Sequence, residues 1–200
     1  MEVQRALSDL AEVRDRLAHL QRFHGYSAYA AAASGVFAFI AGYLQLQVAA
    51  MPRTVEEERA YIVIWLTCLA AALAINYGAV FAWLWRNRGP RAQSQFRSAA
   101  LTIAPSILLG GTLSVALVDH AAYTLLPGTW FACYSIGLFA SRDMLPKRTM
   151  IVTLAFAALA LVFLLTPLEG VALAWWVMPL GFGCGQIGIG YLMRRDEARR

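Results

Sequence analysis

The pattern of hydrophobic and polar positions divides the chain into long apolar segments separated by short polar connections. A membrane-crossing helix needs about 20 mostly apolar residues, and six segments meet this requirement. We therefore predict an all-α fold, an integral membrane bundle of six transmembrane helices preceded by a cytoplasmic amphipathic helix. The predicted spans are Gly25–Ala50, Ala60–Trp85, Ser98–Val118, Ala121–Ala140, Thr149–Thr166 and Val171–Met193.

The segment Met1–Arg22 has a different pattern, with apolar residues recurring every three or four positions on a face opposite mixed charges. This periodicity predicts an amphipathic helix. Its balance of acidic and basic residues suits a protein surface better than anionic lipid. Two interpretations remain open: the helix folds onto its own bundle, or residues 1–22 bind a protein partner or a second copy. The predicted domains are residues 1–24, the transmembrane domain 25–193 and a basic cytoplasmic tail 194–200.

Composition supports a chain solvated by lipid, because 60% of its residues are hydrophobic and 14% are charged. Soluble domains usually have about 45–50% apolar and roughly 25% charged residues. Of the 17 Lys and Arg residues, only Arg53 and Arg59 fall beside the three predicted outer connections. Lys and Arg are retained on the cytoplasmic side, so both termini are predicted to be cytoplasmic, in the cell membrane. This topology accounts for the net charge of +5, and no nucleic-acid partner is expected.

Residues that could carry chemistry are scarce along the predicted spans. Motifs for zinc, a nucleophilic serine or a nucleotide phosphate are missing from the sequence. His19 and His24 are predicted on the inner side and His120 on the outer side, so a shared metal or haem site is not expected. We predict no cofactor and no enzymatic activity.

Four neutral polar residues are predicted at similar depth near the inner ends of their spans: Asn76, Ser106, Ser135 and Gln186. If they face one another, they form a polar layer or a cavity open to the cytoplasm. Alternatively, each side chain forms its own hydrogen bond across a helix interface, which is a common use of such residues.

The last predicted span is rich in glycine, and Gly181, Gly185 and Gly188 are expected to allow close helix packing. At the other end of the chain, the stretch "RFHGYSAYAAAASG" leads into the first span. Tyr26 and Tyr29 fall where aromatic rings favour the headgroup level, and Gly25 predicts a bend. His24 is interpreted as an interfacial residue, so this stretch is predicted to be a hinge.

The opening region, "EVRDRLAHLQRFHGYSAYAAAASGVFAFIAGYLQ", resembles the start of a family of uncharacterised bacterial multi-pass membrane proteins. Phe23, Gly25 and Tyr26 match an F-x-G-Y entry in that family. The resemblance implies about six spans and no particular activity.

Two functions follow from these observations. The first is an accessory, regulatory or scaffold module that acts through helix packing and partner binding in the lipid bilayer. The second is a transporter or channel for a small neutral or lipid-like molecule that uses the polar layer.

Overall fold

The computed structural model describes residues 25–166, 168 and 170–198, with the backbone alone at Arg91. All regular structure in these ranges is helical, which confirms the predicted fold class at this level. The predicted helix Met1–Arg22 lies outside the described residues, as do His24 and the last two residues of the predicted tail. The helices are α1 Ala28–Ala49, α2 Val55–Arg86, α3 Pro90–Asp119, α4 Leu126–Ala140, α5 Met150–Leu165 and α6 Cys184–Glu197.

Four helical segments are long and apolar enough to cross a membrane: Ala28–Ala49, Val55–Arg86, Ala92–Asp119 and Lys147–Leu165. The chain therefore has the character of a membrane protein. The other two helices, α4 and α6, have 15 and 14 residues. A short 3-10 turn, Tyr123–Leu125, leads into α4, and a π-helical turn, Pro179–Gly183, leads into α6.

Capping groups and prolines explain where these helices begin. α2 starts five residues before the predicted span because Thr54 and Glu57 form a capping box: the Glu57 N–H donates to the Thr54 hydroxyl at 3.3 Å, and the Thr54 N–H donates to the Glu57 carboxylate at 3.2 Å. α3 starts at Pro90, eight residues before the predicted span, since proline suits the first helical turn.

The predicted starts of the fourth and sixth spans are both too early. Ala121 has a φ of 52°, which reverses the chain after α3, and α4 begins only at Leu126, just before Pro127. Residues 171–176 form turns before the helical run that contains Pro179. In both places proline lies in the first turn of a helical segment, where its missing N–H is tolerated. At the other end, α6 continues through Arg194 to Glu197, so most of the predicted tail is helical.

The helices pack in two groups that share α6. α1 lies between α2 and α6, whereas α4 lies between α3 and α5. Trp130 of α4 connects the two groups on one side, because its ring stacks on that of Tyr61 of α2 with the ring centroids 6.1 Å apart. Within its own group, the Trp130 indole N–H donates to the Ser114 hydroxyl of α3 at 2.7 Å. α2 and α3 also meet near Val80 and Ala99, where Phe81 and Phe96 are in ring contact.

The first and last helices pack with their backbones close together. A Cβ atom at Gly35 would stand 2.7 Å from the carbonyl oxygen of Gly183, and one at Gly190 would stand 2.6 Å from the carbonyl oxygen of Ala28. A Cβ at Gly42 would collide with the Pro179 ring. Glycine at Gly35 and Gly190 therefore lets α1 approach α6, and Gly42 lets α1 approach the residues that lead into α6, a packing mode typical of membrane helices.

We expect Gly35→Ala to destabilise the protein by about 1–3 kcal/mol, because the added methyl meets backbone atoms that cannot rotate away. The measurement is the midpoint of thermal unfolding in detergent. Gly111→Ala is the matched control, since a Cβ at Gly111 meets no atom within 4 Å. Equal midpoints for the two variants would contradict the close contact between α1 and α6.

Candidate functional site

Asn76, the first of the four predicted polar-layer residues, pairs with α1. Its side-chain N–H donates to the Ser34 hydroxyl at 2.7 Å and to the Ala72 carbonyl at 2.8 Å. The Ser34 hydroxyl in turn donates to the Ala30 carbonyl at 2.9 Å. Asn76 is therefore part of a short hydrogen-bond chain that joins α2 to α1.

The other three residues lie at different interfaces. The Ser106 hydroxyl donates to the Ile103 carbonyl of its own helix at 2.8 Å and packs against Gly137 of α4. The Ser135 hydroxyl donates to the Thr153 carbonyl of α5 at 2.9 Å. The Gln186 side-chain N–H donates to the Tyr134 hydroxyl of α4 at 2.7 Å.

These four polar side chains therefore occupy four helix interfaces: α1–α2, α3–α4, α4–α5 and α4–α6. Among the described residues, no hydrogen bond joins any two of the four. Asn76, Ser135 and Gln186 each form a cross-helix hydrogen bond of the kind that the packing alternative describes, whereas the Ser106 hydroxyl bonds within its own helix. The shared cavity stays a prediction.

The glycines of the sixth helical segment make room for aromatic rings. Cβ atoms at Gly181 and Gly185 would collide with the rings of Phe131 and Phe156, whereas Gly188 has only Val152 nearby, at 3.8 Å. The rings belong to a cluster with centroid separations between 4.8 and 5.8 Å. Its members, from α4, α5 and the π-helical turn, are Phe131, Tyr134, Phe156, Phe163 and Phe182. Offset and edge-to-face ring pairs of this kind stabilise a packed interior.

A buried hydrogen-bond network that the sequence reasoning missed is centred on Gln45. Its side chain is fully buried, accepts a hydrogen bond from the Trp65 indole at 2.8 Å and donates one to the Leu173 carbonyl at 2.7 Å. The network joins α1, α2 and the turns before α6. A glutamine in an apolar span was the available signal, since a buried amide must find partners.

The predicted hinge opens onto a groove at one end of the bundle. Gly25, Tyr26 and Tyr29 line it, together with Trp83 and Arg86 from the end of α2 and Glu197 from the end of α6. The groove has a volume of about 360 Å³ and is partly open to the surroundings. None of the four predicted polar-layer residues lines it.

α1 begins at this groove with a side-chain cap, because the Ser27 hydroxyl accepts a hydrogen bond from the Ala30 N–H at 3.2 Å. Tyr29 is 69% exposed, and the Arg194 guanidinium lies 5.3 Å from its ring centroid. The hinge residues thus sit beside charged residues at the ends of two other helices.

Potential metal ligands are dispersed in the part of the chain that the structure describes. No group of three or more His, Cys, Asp or Glu side chains gathers there. The three cysteines, Cys68, Cys133 and Cys184, are unpaired.

Comparisons with known proteins returned no relatives. No protein-family model, no curated protein and no solved structure matches this chain.

We expect Gln45→Leu to lower the free energy of unfolding by about 1–3 kcal/mol, because the Trp65 N–H and the Leu173 carbonyl lose their buried partner. Thermal unfolding in detergent measures the change. Gln47→Leu is the matched control, because Gln47 lies on the exposed face of the same helix. If both variants unfold at the wild-type temperature, the network contributes no stability.

Proposed function

We propose that this protein is a non-catalytic membrane module, an accessory or scaffold protein that acts by binding another copy of itself through α2. The observation that carries the proposal is a row of small residues on an exposed face of that helix. Ala70, Ala74, Gly78 and Ala82 recur every fourth position, and all four are exposed.

α2 has a large surface available for such a contact. Only Tyr61, Trp65 and Val80 are buried among its 32 residues. A Cβ at Gly78 meets no atom within 4 Å, so space beside the row is open in the single chain. Small residues at this spacing let two membrane helices approach closely, which is how helices associate where lipid removes the hydrophobic driving force.

A second copy is the partner that we propose because a row of small residues is complementary to itself. Two α2 helices related by a two-fold axis present the same face to each other, as in most symmetric dimers. Larger residues on a partner helix would keep the two backbones further apart.

The predicted topology belongs to this proposal: six spans, both termini cytoplasmic, in the cell membrane. α4 extends about 22 Å, and the preceding 3-10 turn adds about 6 Å, which together approach the ~30 Å hydrocarbon core. The helical run over residues 177–197 extends about 31 Å. The resemblance of the opening region to bacterial multi-pass proteins points to the same number of spans.

Cysteine accessibility in intact cells tests this topology. In a variant whose native cysteines are replaced by alanine, we expect Arg53→Cys to react with a membrane-impermeant maleimide added outside. Arg88→Cys and Asp143→Cys are expected to react only after the cells are opened, because they lie in inner connections. External labelling of either inner position would contradict the topology.

The oligomeric state tests the function. We expect fluorescently labelled protein in dilute lipid vesicles to bleach in two steps per spot, and Gly78→Leu to bleach in one. The leucine has open space in the single chain, so it interferes only where a second α2 approaches.

Gly111→Leu is the matched control, because Gly111 has equally open space on α3 and is expected to keep two steps. A variant lacking residues 2–21 tests the other contact surface that the sequence suggests, which is the N-terminal segment. Single steps in the wild type, or two steps in Gly78→Leu, would contradict the α2 contact; loss of pairing in the deletion alone would assign it to the N-terminal segment.

A further inference from the structure

The groove at the hinge has features that the proposed self-association does not use. It lies between the start of α1 and the ends of α2 and α6, and of the row of small residues on α2 only Ala82 also lines it. Its volume of about 360 Å³ falls in the usual range for small-molecule sites, roughly 300–1,000 Å³.

The groove has the residue types and the position along the helices that are expected at the level of the lipid headgroups. Arg86 is the last residue of α2, and Glu197 is the last residue of α6, so both mark the point where the apolar helices end. Trp83 and Tyr29 also line the groove, and Trp and Tyr rings favour this interfacial level. Its apolar wall includes Ala79 and Ala82 of α2.

Two opposite charges face the groove without neutralising each other. Arg86 and Glu197 are exposed, and neither forms an ion pair within the described ranges of the chain. A guanidinium binds a phosphate oxygen pair in a bidentate manner, and a carboxylate accepts hydrogen bonds from an ammonium group. The groove therefore offers one site for an anion and one for a cation.

We propose that this groove binds the headgroup of an amine-bearing zwitterionic phospholipid, phosphatidylethanolamine, with Arg86 on the phosphate and Glu197 on the ammonium. A purely anionic headgroup would place negative charge against Glu197. A choline headgroup would fill the same space, but its quaternary nitrogen has no N–H to donate to the carboxylate. The charge pattern thus selects a primary amine next to a phosphodiester.

Native mass spectrometry of the full-length protein tests the proposal. Delipidated protein is mixed with equal amounts of phosphatidylethanolamine, phosphatidylcholine and phosphatidylglycerol that carry the same acyl chains. We expect one phosphatidylethanolamine to be retained per chain in preference to the other two.

Two substitutions separate the roles of the charges. Arg86→Gln should weaken retention of both zwitterionic lipids about tenfold or more, the usual size of a lost charge-assisted hydrogen bond. Glu197→Gln should weaken the retention of phosphatidylethanolamine alone. The variant would then no longer retain phosphatidylethanolamine in preference to phosphatidylcholine. Arg88→Gln and Asp143→Asn, which make the same charge changes outside the groove, should leave retention unchanged, and thermal unfolding midpoints verify that every variant is folded.

Four results would overturn the proposal. Equal retention of the three lipids, or no effect of either groove substitution, would show that the charges do not select the headgroup. Preferred retention of phosphatidylglycerol would assign the groove to anionic lipid. Lipid retention that arises only after deletion of residues 2–21 would assign the groove to the chain's own N-terminal segment.

Discussion

The contact between α1 and α6 is the constraint on which the rest of the architecture depends. Their sequences lie at opposite ends of the described chain, yet Gly35 and Gly190 bring the two backbones together, and Gly42 brings α1 against Pro179 just before α6. In lipid, apolar side chains gain little by leaving their surroundings, so close van der Waals packing must hold such helices together. Any side chain at these three positions would push α1 away from α6 or from the π-helical turn at Pro179.

This contact also decides which surfaces stay available. Because α6 and α2 occupy two sides of α1, and α3 and α5 occupy two sides of α4, the helices α2 and α3 remain at the periphery. α2 is held mainly through Tyr61, Trp65 and the Asn76 side chain, all of which face the bundle. Its opposite side is left to lipid or to another helix, and that is where the row of small residues lies.

Features that depend on a single segment were predictable from the sequence, whereas features that depend on how two helices pack against each other were not. Apolar length identified the helices, and the Thr54 and Glu57 capping box follows from local spacing. The glycines Gly181 and Gly185 were expected at a packing surface, but their aromatic partners on α4 and α5 depend on how each helix is rotated. The same limit explains why Ser34 and Gln45 were missed: a polar residue in an apolar span must find a partner, and only the fold determines which one. The late starts of α4 and the sixth segment depend on turns whose geometry apolar length does not reveal.

Cysteine cross-linking along α2 in native membranes is the most direct test of the claim that this protein acts through that helix. Single cysteines, introduced after the native cysteines are replaced by alanine, are exposed to a mild oxidant. We expect covalent dimers for cysteines at Ala70, Ala74, Gly78 and Ala82, and few for a cysteine at Leu69, which is exposed on another face of the helix. Cross-linking that is absent throughout, or equally strong at all five positions, would contradict this claim.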